Sequence, residues 1–170
     1  MERSVRLHSL SFGSVRTYLT ALLLIAGNVA LPQLFHMVPQ GGVTWLPIYF
    51  FTLVGAWIYG RRVGVLTALL SPVVNSLLFG MPPVAALPAI MLKSTLLAVF
   101  AGYAASRSRR VSLPALAAVV LAYQCVGTLG EWMLKGDFIF ACQDFRIGVP
   151  GMLLQIFGGM LIIRYFNVEK

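Results

Sequence analysis

The sequence predicts an all-α integral membrane protein, a single domain over residues 1–170 with six transmembrane helices and both termini in the cytoplasm. Three observations predict it. The chain is 59% hydrophobic and only 11% charged, with a mean hydropathy of +0.86. A soluble domain carries about 25% charged residues, and a soluble chain of this length could not hide so much apolar surface from water. Second, the apolar residues fall into six segments, each offering roughly the 17–25 residues that a hydrocarbon core about 30 Å thick requires. Third, the basic residues alternate in side. Ten of them (Arg3, Arg6, Arg16, Arg61, Arg62, Arg107, Arg109, Arg110, Arg164 and Lys170) fall in the N-terminal arm, two turns and the tail, whereas the opposite loops hold two, Lys135 and Arg146. Basic residues mark the cytoplasmic side. The same topology accounts for the net charge of +8, and no RNP-like, zinc-finger or helix-turn-helix pattern supports nucleic-acid binding.

Residues 1–16 form a basic arm. The apolar run that follows is long for a cleavable signal and has no clear small-x-small site before Pro32, so it reads as a retained first helix over about 17–35. Its AGNVA run (26–30) is a small-xxx-small face that permits close helix approach, and Pro32 bends its outer end. A loop, HMVPQGG, covers 36–42. Helices two and three span about 43–59 and 63–79 around an Arg61-Arg62 turn, and helix four spans 83–105 after a Gly-Met-Pro-Pro turn. After a basic turn at 106–112, helix five covers 113–134. The polar loop KGDFIFACQDFRIG (135–148) precedes helix six at 149–165, where Gly151, Gly158 and Gly159 allow close packing. Cys125 reads as a small packing residue and Cys142 as a loop thiol; the pair has no CxxC or zinc spacing, and no metal or cofactor is expected.

The strongly polar side chains are unevenly placed in depth. Lys93 stands ten residues into helix four, about 15 Å from its outer end and near the midplane. A charge there is costly and marks a functional position by default. Gln124 lies at a similar level, Gln155 somewhat above it, and Asn75 and Glu131 nearer the outer end. This clustering predicts a pocket open to the outside, with the loops at 36–42 and 135–148 over it. Packing roles compete with this. Asn28, Asn75, Gln124 and Gln155 can each serve as interhelical glue, Lys93 can pair with Glu131, and Trp45 and Trp132 suit an interfacial aromatic belt as well as ligand stacking.

The AGNVA face and the run LVGAWIYGRRVGVLTALLSPVVNSLLFGMPP, with its Gly60/Gly64 spacing, resemble the substrate-binding S component of energy-coupling factor (ECF) transporters, prokaryotic vitamin importers. The similarity is good over about residues 21–105 and weaker after them. It implies a vitamin-type ligand in an outward-facing pocket, delivered through a membrane T component and two cytosolic ATPases. It also implies docking on the small face of helix one, here Ala26 and Ala30, and ligand contacts around Gln40, Lys93, Gln124, Glu131 and Gln155. The outer polar cluster and aromatics themselves add Asn75 and Trp132 as candidates. Relatives place a carboxylate near the position of Lys93; a cation there favours a ligand carrying a carboxylate or phosphate, which would supply the counter-charge.

Other functions find less in the sequence. Both histidines, His8 and His36, lie outside the apolar segments, no aspartate lies within them, and Lys93 and Ser94 point about 100° apart, so no hydrolytic set forms. An enzyme is not expected, and the chain has no Walker A motif. A membrane scaffold of the rod-shape cell-elongation type matches in length and helix count but has no need of the polar cluster.

Overall fold

The computed structural model describes residues 10–108 and 111–167. Arg3, Arg6, His8, Arg109, Arg110 and Lys170 lie outside the described residues. All regular structure within them is helical. Five helical stretches are long and apolar enough to cross a membrane: Val15–His36, Arg61–Phe79, Val84–Ser108, Leu113–Lys135 and Val149–Phe166. The chain is therefore a multi-pass membrane protein by length and composition. The remaining apolar helix, Pro47–Tyr59, falls short of that length.

Helix α1 (Val15–His36) runs through Pro32 to the first loop. The expected helix over 43–59 is broken. A short α2 (Gly41–Trp45) ends at Leu46, a 3₁₀ turn covers Pro47–Tyr49, and α3 covers Phe50–Tyr59. Pro47 causes the break, because it donates no amide and disfavours right-handed helix at the residue before it. Leu46 takes φ +47°, and Gln40, at the other end of α2, takes φ +57°. Gly60, at φ +89°, reverses the chain directly into α4 (Arg61–Phe79), so Arg61 and Arg62 form the first turn of that helix rather than the turn before it. A 3₁₀ turn at Val84–Ala86 leads into α5 (Leu87–Ser108). Helix α6 (Leu113–Lys135) starts at Ser112, whose Oγ accepts from the Ala115 amide, with Pro114 in the first turn where no amide is needed. It ends at Gly136 in the left-handed region.

The expected loop at 135–148 contains two helical turns, α7 (Phe138–Ala141) and α8 (Gln143–Arg146), and Asp137 caps the first by accepting from the Phe140 amide. The last stretch is α9 (Val149–Leu153), a π-helical turn (Leu154–Gly158) and α10 (Gly159–Asn167). A Cβ at Gly151 would run into the Trp45 carbonyl carbon, so α9 lies directly on α2.

Helix α3 is the central stave. Every residue from Thr52 to Ile58 is buried, packed by α1, α4, α5 and α10. What fixes its entry is polar. Asn28 Nδ2 donates to Thr52 Oγ1 (3.0 Å) and Ser71 Oγ (3.2 Å), and Asn28 Oδ1 accepts from the Phe51 amide (3.0 Å) in the first turn of α3. Helix starts leave such amides without intrahelical acceptors. Pro32 in turn offers no amide to the Asn28 carbonyl four residues before it, and Asn75 Nδ2 takes that carbonyl at 3.1 Å. Asn75 Oδ1 accepts from Gln33. Asn28 and Asn75 thus join helices as interhelical bonds. We expect Asn75→Ala to cost about 1–2 kcal/mol and distinctly less in a Pro32→Ala background, where residue 32 can serve the carbonyl itself. A double-mutant cycle by reversible unfolding in mixed micelles checks this, and additive costs would refute it.

Candidate functional site

Opposite the Arg61, Arg62 and Arg107 end, the bundle opens into a cavity of about 480 Å³. Its walls come from the 36–49 segment, the Met81-Pro82-Pro83 turn, the first turns of α5, the end of α6, and Phe140, Gln143 and Asp144 from the last loop. The loops at 36–42 and 135–148 therefore both contribute to it. Both non-glycine residues with positive φ among those described, Gln40 and Leu46, line it. Backbone strain of this kind collects at ligand clamps and switch regions.

Four charged side chains meet in its wall. Lys93 Nζ lies 2.6 Å from Glu131 Oε2 and 2.8 Å from Asp144 Oδ2, and Lys135 Nζ lies 3.1 Å from Glu131 Oε1. Lys93, Glu131 and Asp144 are all buried. Two ammonium groups face two carboxylates, so the cluster carries no formal charge. The sequence places Lys93 near the midplane; its ammonium instead reaches the level of Glu131, one turn from the end of α6. Glycine makes this reach possible. A Cβ at Gly127 would stand 2.5 Å from Lys93 Cγ, and one at Gly130 would stand 2.5 Å from Leu92 Cδ2. The lysine stem runs along the bare backbone of α6.

Of the residues predicted to bind a ligand, the cavity brings together Gln40, Asn75, Lys93 and Glu131. Gln124, Gln155 and Trp132 lie off it. Trp132 is exposed and packs edge-to-face on Phe138, ring centroids 5.3 Å apart. Gln124 and Gln155 lie in the interior, bonded to Tyr123: its hydroxyl donates to Gln155 Oε1 (2.9 Å) and accepts from Gln124 Nε2 (3.1 Å). Trp45 stacks on Phe35. Cys125, which reads from the sequence as a small packing residue, is exposed, and both cysteines are free thiols. Ala26 and Ala30 are exposed on α1.

Sequence reasoning missed Asp144, Lys135 and Tyr49. Acid-counting would have found the first. A buried ammonium needs a carboxylate partner, and of the three acids between the first and last helices, Glu131, Asp137 and Asp144, Asp137 sits at a DFIF helix start where a cap is expected. Among the described residues, no group of three His, Cys, Asp or Glu side chains is placed to hold a metal. Comparison of the chain with family models, with curated proteins and with solved structures finds no match.

Proposed function

We propose that this chain captures a small, anionic, vitamin-like solute from outside the cell and passes it inward, in the manner of an ECF S component. The observation that carries the reading is the cavity with a buried charge cluster in its wall. Its volume lies in the range of small-molecule sites, about 300–1,000 Å³, and convergent polar groups on an otherwise apolar wall are what such sites use for orientation. Arg61, Arg62, Arg107 and Arg164 stand at the opposite end, so by the positive-inside rule the cavity faces outward across a prokaryotic cytoplasmic membrane, with Pro47–Tyr59 as the sixth pass and both termini inside. The exposed Ala26 and Ala30 offer a T component a close approach, and two cytosolic ATPases supply the energy.

Lys93 is already neutralised, so an anionic ligand binds by exchange. Its carboxylate or phosphate takes the place of Asp144, while Glu131 stays bridged between Lys93 and Lys135. Asp144 is the exchangeable partner because it comes from the last loop rather than from a membrane-spanning helix. Native mass spectrometry of the chain purified in mild detergent tests this. An anionic small molecule is expected on the wild type, at higher occupancy on Asp144→Asn, and absent from a Lys93→Met/Glu131→Gln/Asp144→Asn variant. A retained partner protein with no small molecule in any sample would overturn the reading in favour of a scaffold.

A further inference from the structure

Gln124 and Gln155 lie off the cavity but keep hydrogen-bonding capacity where leaving it unused is costly. Both are fully buried, and Tyr123 serves only one end of each amide. Gln124 Oε1, Gln155 Nε2 and Thr128 Oγ1 are buried without a partner. Thr128 stands one turn from Gln124 on the same face of α6, towards Glu131. The great majority of buried polar atoms are satisfied, and exceptions call for an explanation. Gln155 also sits within the π-helical turn, a form that appears mostly at functional sites. Tyr49 lines the cavity, and its ring centroid lies 5.7 Å from that of Tyr123, the residue to which both glutamines bond.

We propose that Gln124, Thr128 and Gln155 form a deeper compartment of the solute seat, entered from the cavity when the Tyr49 ring turns aside, which takes a neutral group of the amide, lactam or ureide class. Access through the cavity rests on the capture reading above. The ligand class follows from the open positions. Gln124 Oε1 can only accept, Gln155 Nε2 can only donate, and the Thr128 hydroxyl can do either. A group with an acceptor alone leaves Gln124 unserved, and one with a donor alone leaves Gln155 unserved. A charged group would be desolvated among these uncharged side chains without a counter-ion.

Saturation-transfer NMR titrations of the full chain in detergent test the proposal, with 2-imidazolidinone as a cyclic ureide and cyclopentanone as a ring of the same size that only accepts. The wild type is expected to bind 2-imidazolidinone in clear preference to cyclopentanone. Gln124→Leu and Gln155→Leu are each expected to weaken the ureide by about ten-fold or more. As a second measurement, Thr128→Cys in a Cys125→Ala/Cys142→Ala background should be labelled by a methanethiosulfonate reagent, faster with Tyr49→Ala and slower with 2-imidazolidinone present. Equal binding of the two rings, unchanged ureide affinity in both leucine variants, or an unlabelled Thr128→Cys with and without Tyr49→Ala would overturn it. So would the absence of ureide binding with a raised melting temperature in the leucine variants, which would mean that the open positions hold only water. The two readings fail separately: an anion retained at Lys93 without ureide binding removes the deeper compartment alone, and ureide binding without a Lys93-dependent anion removes the capture of anions alone.

Discussion

Lys93→Met is expected to lower the stability of the folded chain by about 3–5 kcal/mol, the cost of removing one partner from a buried ion pair. Glu131 and Asp144 both lie within 2.8 Å of the Lys93 ammonium and are buried. Without it they face each other with Lys135 as the remaining cation, and the side chain of that residue is about a quarter exposed. Water screens its charge, so it cannot hold both carboxylates. The loss comes from the acids left behind rather than from the absent lysine. The triple variant Lys93→Met/Glu131→Gln/Asp144→Asn, which leaves no buried charge in the cluster, should therefore recover most of the stability. Unfolding in mixed micelles measures both. A Lys93→Met chain as stable as wild type would show that the carboxylates are hydrated or protonated and that the cluster does not hold the last loop down.

Asn28→Ala should cost about 2–4 kcal/mol, counted from the groups it orphans at about 1–3 kcal/mol each in a dry interior, with some relaxation. Ser71 loses its donor, Thr52 keeps only the longer 3.4 Å contact to Ser94, and the Phe51 amide loses its acceptor at the start of α3. Because α3 is the stave on which the other helices pack, the damage should spread, and cavity ligands should bind more weakly although Asn28 does not line the cavity. Gln33→Ala, which removes one partly buried bond to Asn75, serves as the control and should cost less than about 1 kcal/mol. Equal effects from the two substitutions would show that Asn28 is an ordinary packing residue.

These side chains also mark how far the sequence could be read. The long spans were legible because hydropathy and turn chemistry agree: Ser112 with Pro114 opens one helix and Gly136 closes it within a residue of expectation. The break at Leu46 was written in Pro47, but an otherwise apolar run from 43 to 59 outweighed it. Depth along a helix sets Gln124 and Gln155 near the level of Lys93, yet it does not say which neighbour a helix face meets; in the structure both bond Tyr123 and neither lines the cavity. Lys93 and Asp144 are 51 residues apart. No local pattern links them, because the pairing depends on how α7 settles on α6 and α8 on α2.

The second apolar helix is three 3₁₀ residues and ten α-helical ones long, about 20 Å, against a hydrocarbon thickness of about 30 Å. Its flanks are covered by other helices, so lipid does not have to thin around it. The missing length lies at the Leu46–Tyr49 end, where the cavity begins. A cylinder of helix about 10 Å across and 10 Å long fills roughly 800 Å³, the same order as the cavity and the α2 turn beside it. The hollow is thus a shortened pillar rather than a widened ring of helices. Its volume can then change between sequences by adding or removing a turn at Pro47, while the surrounding helices and the crossing at Asn28 stay as they are.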